Sequence, residues 1–185
     1  MTDKAKPETR AIAAGRMSAE HFGAVNTPVY RASTILYPSL AAIKANTQPY
    51  TYGRRGTPST KSFEDAISSL EGAAKTVSVT SGVQAIALAI LSVCGAGDHL
   101  LMVDSCYEPS RILCDRTLRR LGIETSYYAP GDAIAPLLRP STKAVFCESP
   151  GSLTFELQAT SAAANSRAIP VLVNAVVIIP HPVAA

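Results

Sequence analysis

Three short clusters in this 185-residue chain have the residue types needed to hold an anion and a flat ring. Tyr52-Gly53-Arg54 sets a phenol and a guanidinium two positions apart. Both can reach one phosphate, and the planar arginine fork suits that partner. The same residues also make an ordinary exposed loop with a solvated arginine. Thr80-Ser81-Gly82 stands immediately before an apolar run. Glycine at such a turn lets backbone N–H groups approach an anion, and a helix N-terminus favours negative charge; the plainer role for Ser81 is a helix N-cap. Tyr107 follows a second apolar run and can stack on a planar ring, or sit as a rim tyrosine. Glu148-Ser149-Pro150-Gly151 reads as a tight turn in which Glu148 is a solvated carboxylate. His21 and His99 have no partner at a telling spacing, and His99 reads as the first residue of a strand, not as a catalyst.

The elements that position these clusters follow from the pattern of apolar residues. Residues 1–36 read as an extended arm, because Pro28-Val29-Tyr30-Arg31 has neither a helical period nor a clean alternation. Residues 39–45 predict a short helix, and 47–59, rich in Gly, Pro, Tyr and Arg, a loop. Phe63, Ala66, Ile67 and Leu70 recur at helical spacing and predict an amphipathic helix ending near Gly72. A βα rhythm follows. Strands are expected at 76–80, 99–104, 124–128, 143–147 and 171–173. Helices are expected at 83–93, 110–121, 133–138 and 160–167, the second with Ile112, Leu113 and Leu121 inward. Such alternation with short connections predicts an α/β fold, a mostly parallel sheet with helices on both faces. Ligands of such sheets lie at the carboxyl ends of the strands. Chemistry is therefore expected in the loops after Thr80, Asp104 and Cys147.

The bulk properties exclude several functions. The chain is 47% hydrophobic and 17% charged with a net charge of +3, enough apolar residues for one sizeable core. Its basic residues are dispersed, so no nucleic-acid stripe is present, and Arg119-Arg120 suits the carboxyl end of a helix. Cys94, Cys106, Cys114 and Cys147 form no Cys-x-x-Cys pair, which argues against a structural zinc and for reduced core thiols. The first 16 residues are polar and charged, and the uncharged run at 168–185 is broken by three prolines and too short to span a bilayer. The expected compartment is the cytoplasm, with no membrane and no nucleic-acid partner.

Taken together, these positions resemble the amino-terminal part of a Cys/Met-metabolism enzyme dependent on pyridoxal 5'-phosphate (PLP), of the cystathionine β-lyase type, over about residues 15–158. The resemblance rests on Thr27-Pro28-Val29-Tyr30-Arg31, Tyr52-Gly53-Arg54-Arg55-Gly56-Thr57-Pro58, Leu70-Glu71-Gly72, Ser81-Gly82, Gly97-Asp98-His99, Tyr107-Glu108-Pro109-Ser110 and Glu148-Ser149-Pro150-Gly151-Ser152. Glu-Pro after the tyrosine points to a β-lyase over γ-lyases and γ-synthases. The resemblance implies part of an aspartate-aminotransferase-like (type I PLP) large domain, with the small C-terminal domain missing. It divides the chain into an arm and cofactor-phosphate loop (1–60), a partial PLP-binding large domain (61–174) and a divergent tail (175–185). Gly82 and Val83 would offer backbone N–H groups to the PLP phosphate. Tyr52 and Arg54 would reach the phosphate of a neighbouring subunit, in a homodimer or a tetramer of dimers. Tyr107 would stack on the pyridine ring and help in proton transfer. The implied reaction, on a small sulfur amino acid, splits cystathionine into homocysteine, pyruvate and ammonia in methionine biosynthesis.

The resemblance decays after Gln158. Asn174 falls where the family has an aspartate that pairs with the pyridine nitrogen, and a neutral amide cannot keep that nitrogen protonated. No lysine follows Lys143, so the lysine that carries the cofactor in the family has no counterpart here. The expectation is a truncated or frameshifted chain, inactive by itself, which exposes a sheet edge and self-associates. A small nucleotide-binding α/β domain is the remote alternative, since no Gly-x-Gly-x-x-Gly run follows the first predicted strand.

Overall fold

The structure is a computed structural model of the chain and describes residues 5–157 and 171–173. Two compact units divide at Ser78 and Val79.

The first unit carries three helices, α1 (Pro7–Ala13), α2 (Leu40–Ala45) and α3 (Pro58–Glu71). The expected extended arm is in fact interrupted by α1 and by a 3-10 turn at Ser18–His21. Pro7 at the first position presets the helical φ of α1 at no hydrogen-bond cost. Thr57 opens α3 with a reciprocal capping box to Thr60. Gly72 closes it at φ +64°, a backbone conformation that glycine adopts without strain. The helix ends at Gly72 as expected, but its apolar side is not buried within the described residues: Ala66 and Ile67 are half-buried and Phe63 is 55% exposed. Hydroxyls do the fastening in its place. Ser62 Oγ donates to the Gly15 carbonyl at 2.7 Å and lies 3.0 Å from Thr27 Oγ1. Ser59 Oγ donates to the Pro28 carbonyl and accepts the Tyr30 N–H. Among the described residues of this unit only His21 and Thr57 are buried. The unit is thus held by polar bonds, with little apolar core.

The second unit contains the sheet. Its strands β1 (His99–Val103), β2 (Glu124–Tyr128), β3 (Thr142–Cys147) and β4 (Val171–Val173) are all parallel, in the order β2-β1-β3-β4. Every residue of β1 is buried, so both of its faces are covered, as a parallel sheet requires. Two helices precede and follow β1: α4 (Gly82–Leu91) and α5 (Glu108–Ile112), the latter continuing as a π-turn at Leu113–Leu118. Ser110, Cys114 and Leu118 form its buried stripe, four residues apart. A spacing of four keeps these residues on the one face that meets the sheet. Of the inward positions expected from sequence, Leu113 packs against the core, whereas Ile112 and Leu121 are 43% and 50% exposed.

The strand expected at 76–80 is absent. The segment is extended but bonds to side chains, Ser78 N–H to Glu64 and Thr80 N–H to Gln84, and pairs with no described strand. β-branched residues supply strand propensity, yet a strand exists only through a partner's ladder. The expected helix at 133–138 shrinks to a single 3-10 turn, Ala135–Leu137, and the one at 160–167 lies outside the described residues.

His99 opens β1 and is 1% exposed. The Thr142 hydroxyl accepts the Arg139 N–H at 2.8 Å and lies 2.9 Å from His99 Nδ1, and Nε2 is buried without a hydrogen-bond partner among the described residues. Burial first, then the Arg139 charge, hold His99 below its ordinary pKa of 6.5, against the pull of Glu124. As pH falls through 6.5 the unfolded chain takes up a proton that the folded chain refuses until a lower pH. Stability is therefore full above that value and declines beneath it. Denaturant titrations between pH 7.5 and about 5 are expected to show this decline and to lose it in His99→Leu. An unchanged slope in the variant would assign the effect elsewhere.

Candidate functional site

In the second unit the chain runs from β1 outward to β2 on one side, then crosses back to β3 and β4 on the other. The order reverses between β1 and β3, and the loops leaving their carboxyl ends diverge there to leave a crevice. An open cleft of about 580 Å³ occupies that place. Its walls are Ser81, Gly82 and Val83 at the start of α4, Tyr107 after β1, and Glu148 after β3, with Phe146 and Ile86 at its floor. Two of the three clusters singled out from the sequence therefore meet in one cleft, together with the Glu148 turn.

The start of α4 has the donor arrangement an anion needs. Ser81 is its N-cap, as one of the two readings of that residue required: the Oγ accepts the Gln84 N–H at 3.2 Å, and its carbonyl accepts the Ala85 N–H at 3.0 Å. Thr80 adds two bonds to Gln84 Oε1 that fix the entering chain. The N–H groups of Gly82 and Val83, first in the helix, are left without an acceptor among the described residues. A Cβ built on Gly82 would meet nothing within 4 Å, so the approach to these donors is open. Two free N–H groups at the positive end of a ten-residue helix suit a phosphate.

Tyr107 is the N-cap residue of α5, is 48% exposed and lines the cleft wall. Its N–H donates to Glu148 Oε2 at 3.0 Å, so Glu148 is engaged and is not the simply solvated carboxylate expected. Arg111, one turn further on, donates to the Asp104 carbonyl at 2.7 Å, pairs with the Asp104 carboxylate and lies 3.9 Å over the Tyr127 ring. These bonds pin α5 to the ends of β1 and β2. Cys106, beside Tyr107, is buried and its thiol is pushed up to about 11, so it is inert at neutral pH. All four cysteines are free and buried, as expected.

Tyr52 and Arg54 belong to the first unit. Tyr52 forms an isolated antiparallel bridge with Thr34 and is 40% exposed, and Arg54 is exposed with no ion-pair partner among the described residues. Asn174 lies outside the described residues. Sequence reasoning missed Phe146 and Ile86, whose apolar character is common to every strand and helix of the core, and the bond from Tyr107 to Glu148, which spans 41 residues. No amine is among the described residues lining the cleft. Among the described residues there is no cluster able to hold a metal ion, and no helix is long and apolar enough to cross a membrane.

The sequence of a Rhizobium johnstonii protein named provisionally as a cystathionine β-lyase is 47% identical over 152 residues, 81% of this chain and 38% of that protein. Cystathionine β-lyase of Escherichia coli is 42% identical over 164 residues, 85% of this chain and 41% of that one. O-acetyl-L-homoserine sulfhydrylase of Corynebacterium glutamicum is 30% identical, over 90% of this chain and 40% of that one. The crystal structure of cystathionine γ-lyase from Lactobacillus plantarum superposes with a TM-score of 0.83 at 26% identity, over 91% of this chain and 44% of that one. The chain thus spans about two fifths of the length of the curated relatives it matches. The sequence profile of the Cys/Met metabolism PLP-dependent enzymes matches residues 8–184. The sheet of parallel strands, the open helix N-terminus beside an aromatic wall, and this match over nearly the whole length agree, and the chain belongs to the Cys/Met metabolism PLP-dependent enzymes, whose cofactor is pyridoxal phosphate.

Proposed function

We propose that this chain contributes the phosphate-binding and ring-stacking half of a PLP site of the cystathionine β-lyase type. The observation that carries the reading is the convergence of the two free N–H groups of Gly82 and Val83 with Tyr107 in one cleft. Gly82 and Val83 bind the cofactor phosphate, and Tyr107 lies against its ring and orients it. Bound PLP supplies an electron sink for cleavage next to an amino acid's α-carbon. The whole enzyme's reaction, in this reading, is cystathionine plus water to homocysteine, pyruvate and ammonia, in the cytoplasm. Tyr107-Glu108-Pro109-Ser110 supports the β-lyase reading, as does the higher identity to proteins named for that activity.

Tyr52 and Arg54 serve a neighbouring subunit's phosphate in this reading. The first unit's exposed apolar residues support such a neighbour: Phe22, Val29, Leu36 and Leu40 are each more than 60% exposed. Residues 1–60 act as arm and phosphate loop and 61–174 as the cofactor-binding part. Asn174 takes the pyridine-nitrogen position. These 185 residues place no amine in the described cleft, so by themselves they hold the cofactor without a covalent bond and do not turn over.

The purified 185-residue protein tests this. It is expected to bind pyridoxamine 5'-phosphate, which cannot react with stray lysines, and to release no pyruvate from cystathionine when PLP is in excess. Tyr107→Ala is expected to weaken that binding about tenfold, as loss of one ring stack at about 1–3 kcal/mol implies. Binding that ignores both Tyr107→Ala and competing inorganic phosphate would sink the reading of the cleft. Steady pyruvate release would sink the claim of inactivity.

A further inference from the structure

We propose that Glu148 is a positioning residue that sets where Tyr107 stands in the cleft, by accepting its backbone N–H. The inference deepens the reading of the cleft as a PLP site and rests on it.

Both backbone polar groups of Tyr107 are committed. Its carbonyl accepts the N–H groups of Ser110 and Arg111 inside the first turn of α5. Its N–H leaves α5 altogether and crosses to Glu148 Oε2 on the loop after β3. The Tyr107 side chain caps nothing, and the ring has no hydrogen-bond or ring partner among the described residues. With 48% of its surface exposed, packing fixes the ring only in part. The backbone anchor sets the point from which the ring projects into the cleft. A carboxylate accepting an amide N–H makes a bond stronger than a neutral pair, and here it spans the crevice between β1 and β3. The same two loops are also joined by the Ser152 N–H to the Ser105 carbonyl at 2.9 Å. That second bond holds the loops together without touching Tyr107. Loss of the Glu148 carboxylate therefore frees the Tyr107 backbone and leaves the sheet and the α4 donors in place.

The consequence for a ligand is selective. Inorganic phosphate needs only the N–H groups of Gly82 and Val83. A pyridine phosphate also needs the ring of Tyr107 at a fixed height above the cleft floor, since stacking falls off quickly with displacement. Glu148 thus governs the ring half of recognition and not the phosphate half.

The test uses the 185-residue protein with three substitutions. Glu148→Ala removes the acceptor. Glu148→Asp keeps the charge on a stem one carbon shorter, which does not span the distance. Glu148→Gln keeps a carbonyl acceptor at the same reach. In the ligand-free protein, amide exchange at Tyr107 is expected to rise about tenfold or more in the alanine and aspartate variants, with Leu101 and Met102 of β1 unchanged. The glutamine variant is expected to restore most of the protection. Pyridoxamine 5'-phosphate, followed by the anisotropy of its own fluorescence, is expected to bind about fivefold more weakly in the first two variants. Inorganic phosphate is expected to bind all four proteins alike. Unchanged Tyr107 exchange in the alanine and aspartate variants overturns the proposal, as does an equal loss of affinity for both ligands. A third outcome separates the two readings. If the parent binds pyridoxamine 5'-phosphate no better than inorganic phosphate while the variants still free the Tyr107 amide, the tether stands, but the cofactor reading falls and takes the proposal with it.

Discussion

Phe146→Ala is expected to lower the stability of the sheet unit by about 3–5 kcal/mol, the range for removing a fully buried aromatic ring. Phe146 lies near the carboxyl end of β3, in register with Met102 of β1 and Leu172 of β4, and is 0% exposed. It packs in the core and also floors the cleft. Truncation forfeits the transfer free energy of the ring and leaves a void that close-packed neighbours cannot fill without moving. Domains of this size have about 5–15 kcal/mol in total, so a fifth or more of the margin disappears. Phe146→Leu keeps most of the volume and is expected to cost much less. Leu153→Ala, at a residue 84% exposed, is the control and is expected to stay within about 0.5 kcal/mol. Guanidinium unfolding followed by circular dichroism gives all three numbers. A loss under about 1 kcal/mol for Phe146→Ala would mean that this strand is not packed as described.

Gly53→Ala is expected to break open the turn that carries Tyr52 and Arg54. A Cβ at Gly53 would lie 1.8 Å from the Ala32 carbonyl oxygen and 2.5 Å from its carbon. Both are backbone atoms, so no side-chain rotation relieves the clash. The two segments are held together by the Gly53 N–H to the Ser33 carbonyl at 2.7 Å and by the Thr34–Tyr52 bridge. Separating them enough for a methyl group removes both. Overpacking of this kind costs about 1–3 kcal/mol, and the upper end applies where only backbone can yield. The first unit has almost no apolar core to absorb the loss, so the effect stays local. Tryptic cleavage at Arg54 and Arg55 is expected to quicken about tenfold or more, because local opening controls access. Gly131→Ala is the control, since its Cβ meets nothing within 4 Å. A variant cleaved at the parent's rate would show that the two segments are not apposed.

Legibility from sequence varied with the physics of each element. Strands β1 and β3 could be read to within a residue because a parallel strand buried on both faces leaves an apolar run between turns; β2, with only Tyr128 buried, and β4 were placed by the spacing of the βα rhythm. The start of α4 was legible because Ser81-Gly82 before an apolar run is local chemistry, complete within four residues. The arm was misread for a related reason: α1 is short, begins at Pro7 without a side-chain cap, and carries no apolar period to detect. The inward face of α5 was only partly read, Leu113 but not Ile112 or Leu121, because which residues face the sheet depends on what the helix meets, as Cys114 and Leu118 reveal only once β1 and β2 are in place.

By itself the sequence determined the α/β class, the family and the residue types able to grip a phosphate and stack on a ring, because these are written in local runs and motifs. Only the tertiary structure decided that Gly82, Val83, Tyr107 and Glu148 share one cleft, that segment 76–80 pairs with no described strand, and that Glu148 holds the Tyr107 backbone. Each of these depends on which strands become neighbours and in what register. Sheet order is settled by long-range packing, and residues 41 apart become hydrogen-bond partners only when β1 and β3 lie side by side.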